Sequence, residues 1–141
     1  QVQPKTPLKI VMSLGEREPI HATALGKVIL ADKSEEEIVN LLGNDPLPKF
    51  GPNSVTNTKE LMEQLKLVRQ RNYAIDDEEF APGLRCAAVP IRNFALEVVA
   101  ALSITGPAQR LSMEECESAL PFLFEVADKI SQMMGYTKGD I

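Results

Sequence analysis

The stretch "YAIDDEEFAPGLRCAAVPIRNFALEVVAALSITG", residues 73–106, decides the fold. It contains three β-rich runs, Tyr73–Phe80, Leu84–Asn93 and Glu97–Gly106, joined through "APG" and a turn around "NFALE". Short connections between such runs predict an antiparallel three-strand meander. In the last run alternate residues face opposite ways. Val98, Ala100, Leu102 and Ile104 read as a core face, while Val99, Ala101, Ser103 and Thr105 form a second face of small groups that ends in two hydroxyls. A hairpin centred between Phe94 and Ala95 predicts Cys86 opposite Ser103, and a turn centred on Ala81 predicts Asp76 opposite Cys86. A slip of one residue would reverse every side chain, so the register is an expectation for the structure to decide.

Outward from the meander the pattern is helical. Upstream, "TKELMEQLKLVRQRN" from Thr58 places Leu61, Leu65 and Val68 on one face, with an end near Asn72. Before it, "NDPLPKFGPNSV" reads as a surface loop because of its prolines and glycines. Ser34 and Glu37 form a capping box for "SEEEIVNLLG", and Gly43 stops that helix. Leu25, Val28 and Ile29 give "ALGKVILA" helical spacing, and Leu8–Leu14, "LKIVMSL", reads as a first strand. Downstream, Pro107 ends the third meander strand. A second capping box, Ser112 with Glu115, starts a long final helix running to Gly135, which Pro121 is expected to kink or interrupt. The sum is α+β, a mainly antiparallel sheet flanked by helices.

Composition narrows the function classes. The 141 residues make one domain, 1–141, with 44% apolar and 25% charged residues, which is ordinary globular composition. A net charge of −5 with scattered basic residues argues against a nucleic-acid surface on this chain. No apolar run suits a membrane span, and no secretion signal is visible. Cys86 and Cys116 form no Cys-x-x-Cys pair and read as reduced thiols of a cytoplasmic protein. The start at Gln1, with strand-like sequence close behind, reads as a domain of a longer protein.

"PIHATALGKVILA", Pro19–Ala31, holds the single histidine and a Gly-Lys pair. Gly26 stands without the other glycines of a phosphate loop, and Val28 replaces its Ser or Thr, so that reading fails. One histidine cannot build a His-rich metal site, and His21 reads as a group fixing the loop before the helix. No metal or cofactor is expected. Ala22, Thr23 and Ala24 are small enough for an anion to approach backbone amides at a helix start. Cys86, Asp76, Ser103 and Thr105 then form one wall, for which two readings compete. A nucleophilic site would have Cys86 or Ser103 attack with Asp76 assisting, but no histidine or lysine is placed to activate the thiol. A binding pocket would use the same hydroxyls and carboxylate to orient a small polar molecule, and this reading is favoured. A plainer account makes the Ser, Thr and Cys merely small residues under a helix.

In order, "PIHATALGKVILA", "VRQRNYAIDDEEFAPGLRCAAVPI" and "VVAALSITGPAQRL" resemble the effector-binding domain of the IclR family of bacterial transcription regulators, over about Pro19–Leu111. The resemblance implies a profilin-like or GAF-like fold and a small organic acid as effector, such as a keto acid, sugar acid or aromatic acid. It implies an upstream winged helix-turn-helix domain as the route to DNA, and homodimers or homotetramers. It also implies effector contacts at the amides of Ala24 and Leu25 and at the side chains of Asp76, Cys86, Ser103 and Thr105, with Met12 as an apolar wall. Asn72 stands where relatives usually carry glycine, tolerable because Asn accepts left-handed backbone angles. With no arginine in the wall, Asp76 suits a ligand bearing a hydroxyl or hydrated carbonyl beside its acid group better than a dicarboxylate. The rivals are a small cysteine-dependent hydrolase or isomerase using Cys86 and Asp76, and a GAF-like cyclic-nucleotide sensor.

Overall fold

The computed structural model describes residues 13–137. Four helices and three strands follow in the order α1 (Ala24–Ala31), α2 (Glu35–Leu42), α3 (Thr58–Arg71), β1 (Ala74–Asp77), β2 (Leu84–Arg92), β3 (Val98–Pro107) and α4 (Met113–Met133). The expected strand at Leu8–Leu14 lies outside the described residues except for Ser13 and Leu14, and Leu14 sits in a turn with Gly15.

The strands form an antiparallel sheet in the order β1-β2-β3. α1 lies across one face of all three strands with α3 packed on it, and α4 covers the other face. Two apolar clusters result. Ala24, Val28 and Ala31 of α1 meet Leu61, Leu65 and Val68 of α3 and the small sheet residues Ala74 and Ala88, with Ala101 packed against them. Small side chains on that face let an eight-residue helix sit close to the strands. On the opposite face Ile75, Ala87, Val89 and Ile91 meet Cys116, Leu120, Leu123 and Ala127 of α4, a stripe at helical spacing. Burying each such leucine contributes roughly 1.5–3 kcal/mol.

The helix ends follow local sequence. Ser34–Glu37 and Ser112–Glu115 each form a complete capping box. Asn72 closes α3 in the left-handed region, φ 62°, ψ 26°, as its tolerance of that geometry predicts. α4 continues through Pro121 without interruption, and Pro121 lies on its exposed side. There the carbonyl that loses its intrahelical partner can turn toward water.

The meander register departs from expectation at one hairpin. Asp76 pairs with Cys86 as predicted. Cys86 pairs with Thr105, however, and Ser103 pairs with Ala88, a displacement of two residues from the predicted Cys86–Ser103 pair. One residue of it comes from the turn, which is centred on Ala95 rather than between Phe94 and Ala95, and the other from an irregularity at Ile91/Arg92, where the ladder passes from Ile91–Ala100 to Arg92–Val98 and leaves Val99 as an extra residue. Val98 therefore belongs with the α1-side cluster, whereas Ala100, Leu102 and Ile104 face α4 as expected. A two-residue displacement preserves facing, so Ser103 and Thr105 keep the side assigned to them. Pro107 is the last residue of β3.

Candidate functional site

The α1 entry is fixed from both sides. Thr23 caps the helix: its hydroxyl accepts from the Gly26 amide at 3.1 Å and donates to the Pro19 carbonyl at 3.0 Å. His21 is buried, its Nε2 donates to the Pro48 carbonyl at 2.8 Å, and its ring leans on Phe50. The histidine thus ties the helix entry to the proline-rich loop, the positioning role that the sequence suggested. Gly26 is dictated by close approach, since a Cβ there would lie 2.1 Å from the Ile20 carbonyl oxygen. Helix geometry leaves the amides of Ala24 and Leu25 without an intrahelical acceptor, at the positive end of the helix dipole.

On the sheet face toward α1, Asp76, Cys86 and Thr105 form one row across three strands, Asp76 paired with Cys86 and Cys86 with Thr105. The adjacent row is Ala74, Ala88 and Ser103, two methyls and a hydroxyl. The structure therefore brings Asp76, Cys86, Ser103 and Thr105 onto the face where α1 packs, although Ser103 sits one row from its predicted place. Met12 lies outside the described residues.

Asp76 is fully buried. Its Oδ1 accepts from the amides of Glu79 at 2.8 Å and Phe80 at 3.2 Å, while Oδ2 has no hydrogen-bond partner among the described residues. Desolvation raises its pKa, opposed by the two amides, by the Lys27 charge and by the neighbouring Cys86 thiol. Thr105 donates to the Cys86 sulfur at 3.2 Å. Burial pushes the Cys86 thiol up to about 12, with Asp76 and Glu18 adding to that shift. Glu18, half-buried, is itself raised by burial first and then by the charges of Asp76 and Glu16. The wall thus stays a protonated thiol beside carboxyl groups, suited to donating and accepting hydrogen bonds.

Two contributors were not anticipated. Lys27, on α1, is buried, and its Nζ lies 2.6 Å from Glu79 Oε2 and 2.5 Å from the Ile75 carbonyl, with Gln64 Oε1 at 3.3 Å. Its position among Ala24, Val28 and Ala31 on the buried stripe was the available signal. Glu18 precedes the histidine segment and carried no local signal.

A separate cavity of about 80 Å³ opens at the other end of α1, among Val28, Ala31, Asp32, Val68, Arg69, Asn72, Pro90, Arg92 and Val98. None of the sequence-predicted site residues lines it. Its arginines are committed: Arg69 donates to the carbonyls of Ala31 and Lys33, and Arg92 to Asp32, the Leu96 carbonyl and Asn72. That region therefore ties helix ends to the hairpin. Among the described residues, no group of three or more His, Cys, Asp or Glu is placed to hold a metal ion, and no helix is long and apolar enough to cross a membrane.

Comparison with known proteins assigns the lineage. A family model described as "Bacterial transcriptional regulator IclR C-terminal" matches residues 1–132. The HTH-type transcriptional regulator KdgR of Dickeya chrysanthemi is 39% identical over 129 residues, covering 92% of this chain and 42% of that protein. The crystal structure of the Thermotoga maritima IclR superposes with a TM-score of 0.87 at 36% identity, covering 96% of this chain and 55% of that one. A complex of 3-hydroxybenzoic acid with a double mutant of the Acinetobacter PobR inducer-binding domain superposes at 0.78 with 30% identity, covering 84% of this chain and 69% of that one. The chain spans about half or less of the curated regulators it matches. On this evidence the chain belongs to the IclR family of bacterial transcriptional regulators, whose C-terminal domain it carries.

Proposed function

We propose that this domain is the effector sensor of a transcription regulator and binds a small organic acid beneath the start of α1. The observation that carries this reading is the Asp76–Cys86–Thr105 row, on the sheet face against which α1 packs. The acid group belongs at the amides of Ala24 and Leu25, where the helix dipole favours negative charge. A hydroxyl or hydrated carbonyl of the ligand donates to Asp76 Oδ2, which has an open acceptor position, and exchanges hydrogen bonds with the hydroxyls of Thr105 and Ser103. A dicarboxylate is disfavoured by Asp76 and Glu18 together. The acid bound by the related Acinetobacter domain has this pattern, one carboxyl and one hydroxyl.

The same geometry weighs against the cysteine-enzyme alternative. A thiol held near pKa 12 yields almost no thiolate at neutral pH, and the Thr105 hydrogen bond, which favours the thiolate, does not offset burial and the neighbouring carboxyl groups. Regulation would run through a DNA-binding domain upstream. An effector changes DNA binding only as far as it prefers one arrangement of the linked domains over another.

The test is a thermal-shift screen of the domain against short keto acids, sugar acids, hydroxybenzoates and cyclic nucleotides. A ligand at 100 times its dissociation constant stabilises the fold by about 2.7 kcal/mol. Stabilisation by a monocarboxylate, lost in Thr105→Val, is expected; a response to cyclic nucleotides alone would replace this reading with the nucleotide sensor.

A further inference from the structure

Glu79 is a second buried carboxylate, three residues after Asp76, and the two share an unusual support. Glu79 is 5% exposed, and its Oε1, like Asp76 Oδ2, lacks a hydrogen-bond partner among the described residues. Its Oε2 takes the Lys27 ammonium and, at 3.4 Å, the Asp77 amide. Its own amide donates to Asp76 Oδ1. Lys27 therefore grips the chain on both sides of Asp76: at the Ile75 carbonyl immediately before it, and at Glu79 just after the turn that follows. The far side of Glu79 is pinned by the proline-rich loop, through the Gly51 amide at 2.7 Å and the Ser54 hydroxyl, both on the Glu79 carbonyl. Gly51 has no room for a side chain there, since a Cβ would lie 2.2 Å from the Glu78 carbonyl oxygen.

We infer that Lys27 is a positioning residue for the effector site: with Glu79 it locks the turn after β1 so that Asp76 Oδ1 is held by two amides and Oδ2 is left to accept from the ligand. This inference rests on the effector reading above. Among the described residues, the charged and titratable groups around Asp76 are Glu18 from the segment before α1, Lys27 from α1, Glu79 beyond β1 and Cys86 from β2, and Lys27 is the one cation of that set. A large share of the specificity for hydroxy acids would then originate in a residue that never touches the effector.

The arrangement separates two roles. A purely structural ion pair would, when removed, weaken all ligands alike. A positioning pair would, when removed, abolish the preference for a hydroxy acid over its deoxy counterpart while the helix-start anion site still holds the carboxylate. Lys27→Met alone leaves Glu79 buried without a partner and is a fold risk, so Lys27→Met/Glu79→Met, which removes both charges, is the deciding variant.

Two readouts test it on the domain. Without ligand, amide hydrogen exchange at Glu79 and Phe80 is expected to accelerate at least about tenfold in the double variant while Ala87 and Ala88 in β2 keep their protection. With ligand, affinities for 3-hydroxybenzoate against benzoate and for lactate against propionate are compared. The wild type should prefer the hydroxy acid of at least one pair by at least about tenfold, and the double variant should show no preference. Unchanged exchange at Glu79 and Phe80, or a preference retained in the double variant, overturns the inference. Accelerated exchange in the double variant, with a wild-type domain that binds none of these acids, would leave the clamp established and count against the effector reading instead.

Discussion

Thr105 on β3 gives its hydroxyl hydrogen to the sulfur of Cys86 on β2, 3.2 Å away, and Cys86 in turn pairs across the ladder with Asp76 on β1. The contact sets a direction for the site. The sulfur accepts from Thr105 and remains protonated, with Asp76 beside it across the ladder. The row thus sets a hydroxyl and a protonated thiol beside a buried carboxyl group.

Cys86 should accordingly be inert. With its pKa pushed up to about 12 from 9.0, its thiolate fraction near neutral pH is about a thousandfold below that of an ordinary thiol. Alkylation by iodoacetamide, followed by mass spectrometry on the folded domain, should be correspondingly slow. Rapid labelling at neutral pH would return the nucleophilic reading to contention.

Asp76→Asn should become progressively more favourable as pH rises. A carboxyl whose folded pKa is raised contributes stability that is complete below its unfolded value and is lost as pH climbs through the folded one. Asn keeps the acceptor for the Glu79 and Phe80 amides but has no such loss. Melting curves from about pH 4 to about pH 7 should show the wild type losing ground to the variant; a constant gap would show that Asp76 ionises at an ordinary pKa.

Gly26→Ala should cost roughly 2–4 kcal/mol, because the added carbon strikes the Ile20 backbone rather than a movable side chain. Gly43→Ala is the contrast: nothing lies within 4 Å, but φ +76° with ψ −152° is a backbone region essentially reserved for glycine, so a backbone penalty of roughly 1–3 kcal/mol applies without any steric clash. Urea unfolding of both variants separates the crossing constraint from simple left-handed strain.

Asn72→Gly should be close to neutral, while Asn72→Ala should cost about 1 kcal/mol, since the α3 cap is left-handed. Part of any loss in the glycine variant reports the 3.3 Å contact from Arg92 to the Asn72 side chain. Equal destabilisation by both substitutions would show that this contact, not the backbone, governs the position.

Much of this architecture was legible because its determinants are local. Ser34 with Glu37, Ser112 with Glu115, Asn72 and the "APG" turn each act within a few residues, and the Asp76–Cys86 pairing followed from the turn. The β2–β3 register was not legible to the residue, because the turn is centred on Ala95 and Val99 is an extra residue, and each shifts the pairing by one. Ser103 and Thr105 kept their face because the two shifts add. The Lys27–Glu79 pair joins residues 52 positions apart, so no local pattern announces it. Only a charged residue on an otherwise apolar helix stripe hinted that a buried partner must exist.

The most direct test of the account is a calorimetric titration of the domain with the strongest monocarboxylate from the thermal screen, repeated with Thr105→Val and Asp76→Asn. Saturable one-site binding is expected, falling at least about tenfold in each variant while each remains folded by circular dichroism. Binding of undiminished affinity in both variants would place the effector somewhere other than beneath α1 and contradict the account.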